Sequence, residues 1–483
     1  MVQITQRAAL PLEFLPPRFQ PGLLRLTHGL LPVVFRLRLW PWLPAGIHDF
    51  VLQDGEKLAR LYQQFQQGEN RLILAFRHGE VDDPLALGYL LSRGLPEVAD
   101  RQGIPLQKPL HVHGVYDRGM TLWAGDWLGR FLAGLGAIPI RRGKRRDLQG
   151  MRTVRRYGRS GQFPLAIAPE GATHGHSQRV SPLEPGVAQV GFWCAEDCAK
   201  AGQPQPVWIV PLGIQYRYPH PPWPRIHRLV RDLERSCGLP VGSPLALSPG
   251  HHPPIPPLSG DPWVQNLWPR LLAVADRLLS HGEAFYGRYF PQGWAPCEPD
   301  PQAPLQEQLM QRLAHLQDRA LTLAEQYFGL GSEGTVIDRC RRMEEASWQD
   351  IYREDLPPLG HLSPVEQRGM ADWLAQSAAL HSHPMRLVES LVAVTGDYIP
   401  SQPTPERFGE MALLLFDVSE RIRGRKMPAR PRLGWRQGVL TVGDPMNVSD
   451  RLGDYQRNRA AAKAAIAQLT ADLQSALESL IQP

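Results

Sequence analysis

Apolar residues fall along this chain in short runs bounded by turn-forming residues, and between the runs they recur at the three- and four-residue spacing of helices. Residues 72–76 (Leu-Ile-Leu-Ala-Phe) form one such run, short enough for a buried strand and preceded by a helix-like stretch over 54–67. Further strands are predicted over 110–116, 137–141, 163–168 and 207–214. Helices are predicted over 84–92, stopping near Gly94 and Pro96, and over 122–134 and 187–200. Trp123, Trp127, Leu128, Phe131 and Leu132 give 122–134 an apolar stripe suited to packing. This alternation predicts an α/β fold with a mostly parallel sheet covered by helices.

Past the fifth of these strands the pattern changes. Residues 244–262 are proline-rich, 263–424 read as helical throughout, 438–445 read as a strand and turn, and 455–481 as an Ala/Leu-rich helix. An isolated hairpin is marginally stable, so the late strand is expected to return to the sheet, with the helical region inserted into the α/β domain. Two consecutive domains are the simpler alternative. The division expected is a membrane-interface segment over 1–50, the α/β domain over 51–243, a proline-rich linker and helical region over 244–430, and the returning strand and C-terminal helix over 431–483.

At 483 residues, with 43% hydrophobic and 21% charged positions, the chain is long enough for two or three domains with real cores. A formal charge of +6 favours an anionic partner. Five cysteines with no CxxC pair predict free thiols and a reducing, cytoplasmic setting. No apolar run is long enough to span a bilayer. Residues 22–44 carry leucines, Trp40 and Trp42 among Arg25, Arg36 and Arg38, which suits a segment lying in lipid headgroups; packing on the protein's own core is the alternative. The stretch lacks a small-residue cleavage site and makes a poor signal peptide.

The chemistry concentrates just past the 72–76 run. His78 and Asp83 sit on a strand-to-helix turn, where a carboxylate can orient an imidazole that takes a proton from a hydroxyl. On a continuous helix a spacing of five would hold them about 140° apart. Asp83-Pro84 also reads as an N-cap and first-turn proline. A second such pair, His227 and Asp232, has no supporting context. Nine basic residues lie between Arg141 and Arg159; Arg152, Arg155, Arg156 and Arg159 fit a solvated helix face, whereas Arg141 and Arg142 end a short strand and can grip phosphate. The 163–168 strand delivers Glu170 and Gly171.

In order and spacing, four blocks resemble the glycerolipid acyltransferase family of glycerol-3-phosphate and lysophosphatidic acid acyltransferases. They are His78-x4-Asp83, the stretch Gly136-Ala137-Ile138-Pro139-Ile140-Arg141-Arg142, the triplet Pro169-Glu170-Gly171, and the apolar strand containing Val210-Pro211. Arg77 stands where the family has asparagine, and Ala168, Ala172 and Thr173-His174 also depart from its pattern. The late strand resembles one that follows the fourth block in the family. The resemblance implies an O-acyltransferase that moves a fatty acyl group from an acyl thioester, carried on coenzyme A or acyl carrier protein, to a lysophospholipid or glycerol phosphate. Phosphatidic acid is the expected product, made by a peripheral membrane protein without a cofactor. It further implies His78 as general base, Asp83 as its orienter, and Arg142, Arg141, Glu170 and Gly171 as the acceptor's holders, with the oxyanion met by backbone N–H groups.

Three rivals remain. A metal-dependent phosphoesterase would use His78, Asp82 and Asp83 with His174 and His176; the pairs His111/His113 and His381/His383 invite the same reading. A non-catalytic lipid- or partner-binding protein would leave the site idle. Nucleic-acid binding is disfavoured, because only Tyr157 interleaves the basic cluster. The absence of GxSxG disfavours a serine hydrolase.

Overall fold

A computed structural model describes residues 6–37, 46–141, 147–171, 173–202, 205–242, 258–353, 365, 369–425 and 429–482. The chain divides into two compact units. One is α/β and comprises Phe14–Arg141, Asp147–Pro221 and Ala429–Pro483; the other is helical and holds the intervening 222–425 together with residues 6–13. The α/β unit is thus discontinuous in sequence. Its boundary falls before the helix Trp223–Ser236, which belongs to the helical unit and not to an α/β domain ending at 243. The 243–257 part of the expected linker lies outside the described residues.

Among the described residues, eight strands form one sheet: β1 (Ile47–Gln53), β2 (Arg71–Phe76), β3 (His113–Asp117), β4 (Ile138–Ile140), β5 (Leu165–Ile167), β6 (Val207–Arg217), β7 (Arg436–Val442) and β8 (Met446–Asn447). Their order is β1-β7-β6-β2-β5-β3-β4, with β8 beside β6. All pairings are parallel except those of β6 with β7 and β8. The late strand β7 therefore enters between β1 and β6, pairing with Phe50 to Gln53 on one side and Leu212 to Arg217 on the other.

β2 is central and buried at every residue, which is why its sequence is continuously apolar from Leu72 to Phe76. Leu72, Leu74 and Phe76 enter one core with the helix Gly55–Gln67 and with Leu87, Leu90 and Leu95; Ile73 and Ala75 enter a second core with the helices Gly186–Lys200 and Arg459–Ser479. Strand β1 escaped the sequence reading because its apolar signal is thin: only Ile47 and Phe50 are buried. Nor does the helix after the histidine turn stop at Gly94. It passes through a wide turn at Leu90–Gly94 into a helix over Leu95–Gln102, with Pro96 in its first turn, where a missing N–H does no harm. The expected 122–134 helix is two, Met120–Ala124 and Asp126–Gly134, broken at Gly125, whose φ of +92° L side chains rarely adopt.

The N-terminal helix Pro21–Val34 packs Leu24 and Leu31 inward, and Phe35 just after it joins the same core as Leu31. Leu26, Leu30, Val33 and Leu37 form an exposed row at spacings of four, three and four, flanked by exposed Arg25 and Arg36. Arg38, Trp40 and Trp42 lie outside the described residues.

His111 and His113 are structural. The His111 ring N–H donates to the Leu135 carbonyl (2.6 Å) and that of His113 to the Gly136 carbonyl (2.8 Å), with Phe163 against both rings. Burial lowers each pKa to about 4. Both rings are thus neutral in the fold, while the unfolded chain protonates them near 6.5. Their contribution is fully present above about pH 6.5 and is lost as pH falls towards 4, at about 1.4 kcal/mol per pH unit for each ring. Denaturant midpoints measured from pH 7 to 4.5 are expected to fall more steeply for the parent protein than for His113→Gln, the difference being one proton.

Candidate functional site

The C-terminal edge of the parallel strands is where side chains from several strand ends converge. The β2 ladder runs on through the Arg77 N–H, which donates to the Leu212 carbonyl (3.0 Å), and the chain then turns at Gly79. Asp82, not Asp83, is the N-cap of the helix Asp83–Tyr89, so Asp83 is not a cap. Its carboxylate is used elsewhere. Oδ1 accepts from the Tyr216 hydroxyl (2.8 Å), and Oδ2 accepts from the Glu80 N–H (2.8 Å) and lies 3.6 Å from His78 Nδ1. The turn thus folds the two side chains back on each other. The His78 side chain is 26% exposed while its Nδ1 is buried, so the open part of the ring is the Nε2 side.

This turn buries three acids, Glu80, Asp82 and Asp83, within four residues. Two arginines that precede or open β7 answer them: Arg430 bonds Glu80 (3.1 Å), and Arg436 bonds Asp82 while its guanidinium lies over the Tyr216 ring. Burial alone would lower the Arg436 pKa, yet Asp82 and Glu80 raise it. Burial raises the Glu80 pKa despite Arg430 and Arg436. Burial, then Asp83 and Asp82, push the Tyr216 hydroxyl well up, so it stays a proton donor.

Glu170, expected to hold the acceptor, has no exposed side-chain surface. Its Oε1 accepts from the His78 N–H (2.9 Å); its Oε2 accepts from His174 Nε2 (2.7 Å) and the Ser181 N–H (3.0 Å), and lies 3.4 Å from Arg77. The carboxylate faces inward, with both oxygens on donors within the fold. Burial works to raise its pKa, but Arg77 and His174 hold it far below the carboxylate range. Gly171 has φ +73°, so the turn after Glu170 requires a glycine.

Arg141 follows β4, three strands from β2, which places it about 14 Å from the β2 end along the same edge. Its N–H donates to Asp147, which Arg118 also grips. Arg142 lies outside the described residues. His227 and Asp232 share the helix Trp223–Ser236, and Asp232 pairs with Arg235 instead. No three His, Cys, Asp or Glu side chains among the described residues are placed to hold a metal ion, and Asp82 is taken up by Arg436.

Tyr216, Arg430, Arg436 and the inward role of Glu170 were not read from the sequence. The acid-rich turn was the available signal, since buried carboxylates demand cations from somewhere in the chain.

Compared with protein-family models and with curated protein sequences, the chain matches none.

Arg436→Met would strand a buried carboxylate and is expected to lower stability by about 3–5 kcal/mol in denaturant unfolding. Adding Asp82→Asn should recover most of that loss.

Proposed function

We propose that the protein is an O-acyltransferase that moves a fatty acyl group from an acyl thioester to the hydroxyl of a lysophospholipid or glycerol phosphate, with 1-acylglycerol 3-phosphate the expected acceptor. One observation carries the reading. His78 turns Nδ1 towards a carboxylate fixed by Tyr216 and the Glu80 N–H, and leaves its Nε2 side open at a strand end. The 3.6 Å separation tightens to a hydrogen bond when an acceptor engages the ring.

In this mechanism Nε2 takes the acceptor hydroxyl's proton as the oxygen attacks the thioester carbonyl carbon. The tetrahedral intermediate collapses with cleavage of the C–S bond, and the imidazolium returns the proton to the leaving thiolate. Asp83 stabilises the imidazolium between these steps. Arg141 at the same sheet edge supplies a cation for an acceptor phosphate, and the resemblance assigns the same role to Arg142. The order and spacing of the four motif blocks support the acyl-transfer reading over a metal-dependent phosphoesterase.

Membrane association belongs to the same proposal. Among the described residues no helix is long and apolar enough to cross a membrane. The exposed row Leu26, Leu30, Val33 and Leu37 beside Arg25 and Arg36 suits an anionic bilayer, whose phosphates the arginines meet as the leucines enter the acyl boundary.

Purified protein and its folded His78→Ala variant, given labelled acyl-coenzyme A or acyl carrier protein with lysophosphatidic acid or glycerol 3-phosphate, test the activity. Transfer that is lost in the variant is expected. Transfer that persists would remove His78 as the base, and no transfer with any pair would favour the non-catalytic reading. Sedimentation with anionic vesicles should fall sharply in Leu26→Ser/Leu30→Ser.

A further inference from the structure

We propose that Glu170 is a positioning residue that, braced by Arg77 and His174, fixes the backbone of His78 and so aims its ring at Asp83. The effect on rate rests on the acyltransferase reading; the effect on the ring does not.

A side chain with no exposed surface does not meet an acceptor arriving from solution. What Glu170 does meet is the backbone of His78. Its Oε1 accepts the His78 N–H at 2.9 Å, the strong kind of hydrogen bond made by an ionised acceptor. Its Oε2 takes donors from His174 Nε2, the Ser181 N–H, the Ser181 hydroxyl (3.3 Å) and Arg77. Both oxygens are committed.

The brace extends beyond the carboxylate. Arg77, 1% exposed, also donates to the carbonyls of Ser177, His176 and Arg179, tying the chain after β5 under the histidine turn. The backbones themselves touch. The Gly79 carbonyl accepts from the N–H groups of His174 (3.2 Å) and Gly175 (2.8 Å), and a Cβ on Gly79 would stand 2.7 Å from the His176 carbonyl oxygen. His78 is therefore held on both sides, through its own N–H and through the next residue's C=O. With the backbone fixed, the staggered χ1 positions leave few places for the ring, and the one occupied faces Asp83. Arg77 and His174 are among the residues at which the chain departs from the acyltransferase pattern, and here they are the two ionisable side chains against Glu170.

Glu170→Gln keeps the shape but puts an NH2 group either among the donors on the Oε2 side or against the His78 N–H. Histidine-labelled protein, with the His78 ring signals assigned by their loss in His78→Ala, reads the result without any substrate. The neutral ring is expected to carry its proton on Nδ1 in the parent protein, and to show mixed tautomers and faster exchange of the His78 amide in Glu170→Gln. In transfer assays kcat should fall on the order of 100-fold while KM for the acceptor stays put. His174→Gln, which keeps a donor towards Glu170, should recover most of what His174→Ala loses. Circular dichroism confirms that each variant is folded; should Glu170→Gln not fold, His174→Ala gives the same two readouts. Unchanged ring and amide signals in a folded variant would overturn the proposal, as would a raised KM with kcat intact, which would return Glu170 to acceptor binding. Should the parent protein transfer no acyl group, the ring signals still decide the brace, so failure of the enzymatic reading is seen separately.

Discussion

Glu80, Asp82 and Asp83 are almost wholly withdrawn from water at the end of β2, and a carboxylate in such a place is tolerated only with a cation or several donors beside it. The α/β unit meets that demand from distant parts of the chain. Arg430 and Arg436 arrive with β7, Tyr216 stands near the end of β6, and the Glu80 N–H turns back onto Asp83. The position of β7 between β1 and β6 is thus tied to the charge balance of the turn as well as to the two cores. A strand that pairs with neighbours nearly 400 residues away in one case and over 200 in the other opens on one of the arginines the turn needs, and the segment leading into it brings the other.

The same arrangement separates the acids by role. Asp82 and Glu80 are paired with arginines and serve the fold, whereas Asp83 accepts from the neutral Tyr216 hydroxyl and Glu80 N–H and turns Oδ2 towards the His78 ring. Glu170, held ionised by Arg77 and His174, accepts from the His78 N–H and from the donors around Oε2. In the proposed transfer, an imidazole between two fixed carboxyl groups, one at its ring and one at its backbone, would serve as a preorganised base, with the geometry set before an acceptor arrives.

Much of the fold was legible in the chain. The run at 72–76 reads as a strand because both faces of β2 are covered, and the strand-helix alternation follows from the spacing of apolar residues. Strand order was not legible, since the pairing of β7 with β1 and β6 depends on contacts over hundreds of residues. The His78 and Asp83 pair was visible as spacing, but Tyr216, which holds Asp83, lies 133 positions away and has no local mark. Glu170 was visible too, but the direction it faces was not, for a related reason: a glutamate at a strand end looks the same in sequence whether it faces in or out.

In the proposed mechanism the Nε2 side of His78 receives the acceptor hydroxyl while Nδ1 stays with Asp83. A crystal structure with lysophosphatidic acid and a non-transferable thioether analogue of acyl-coenzyme A tests it directly. The free hydroxyl is expected at hydrogen-bond distance from Nε2, in line with the donor's carbonyl carbon, with Nδ1 drawn within hydrogen-bond distance of Asp83. A hydroxyl bound away from His78, or a ring turned away from Asp83 with both ligands in place, would contradict it.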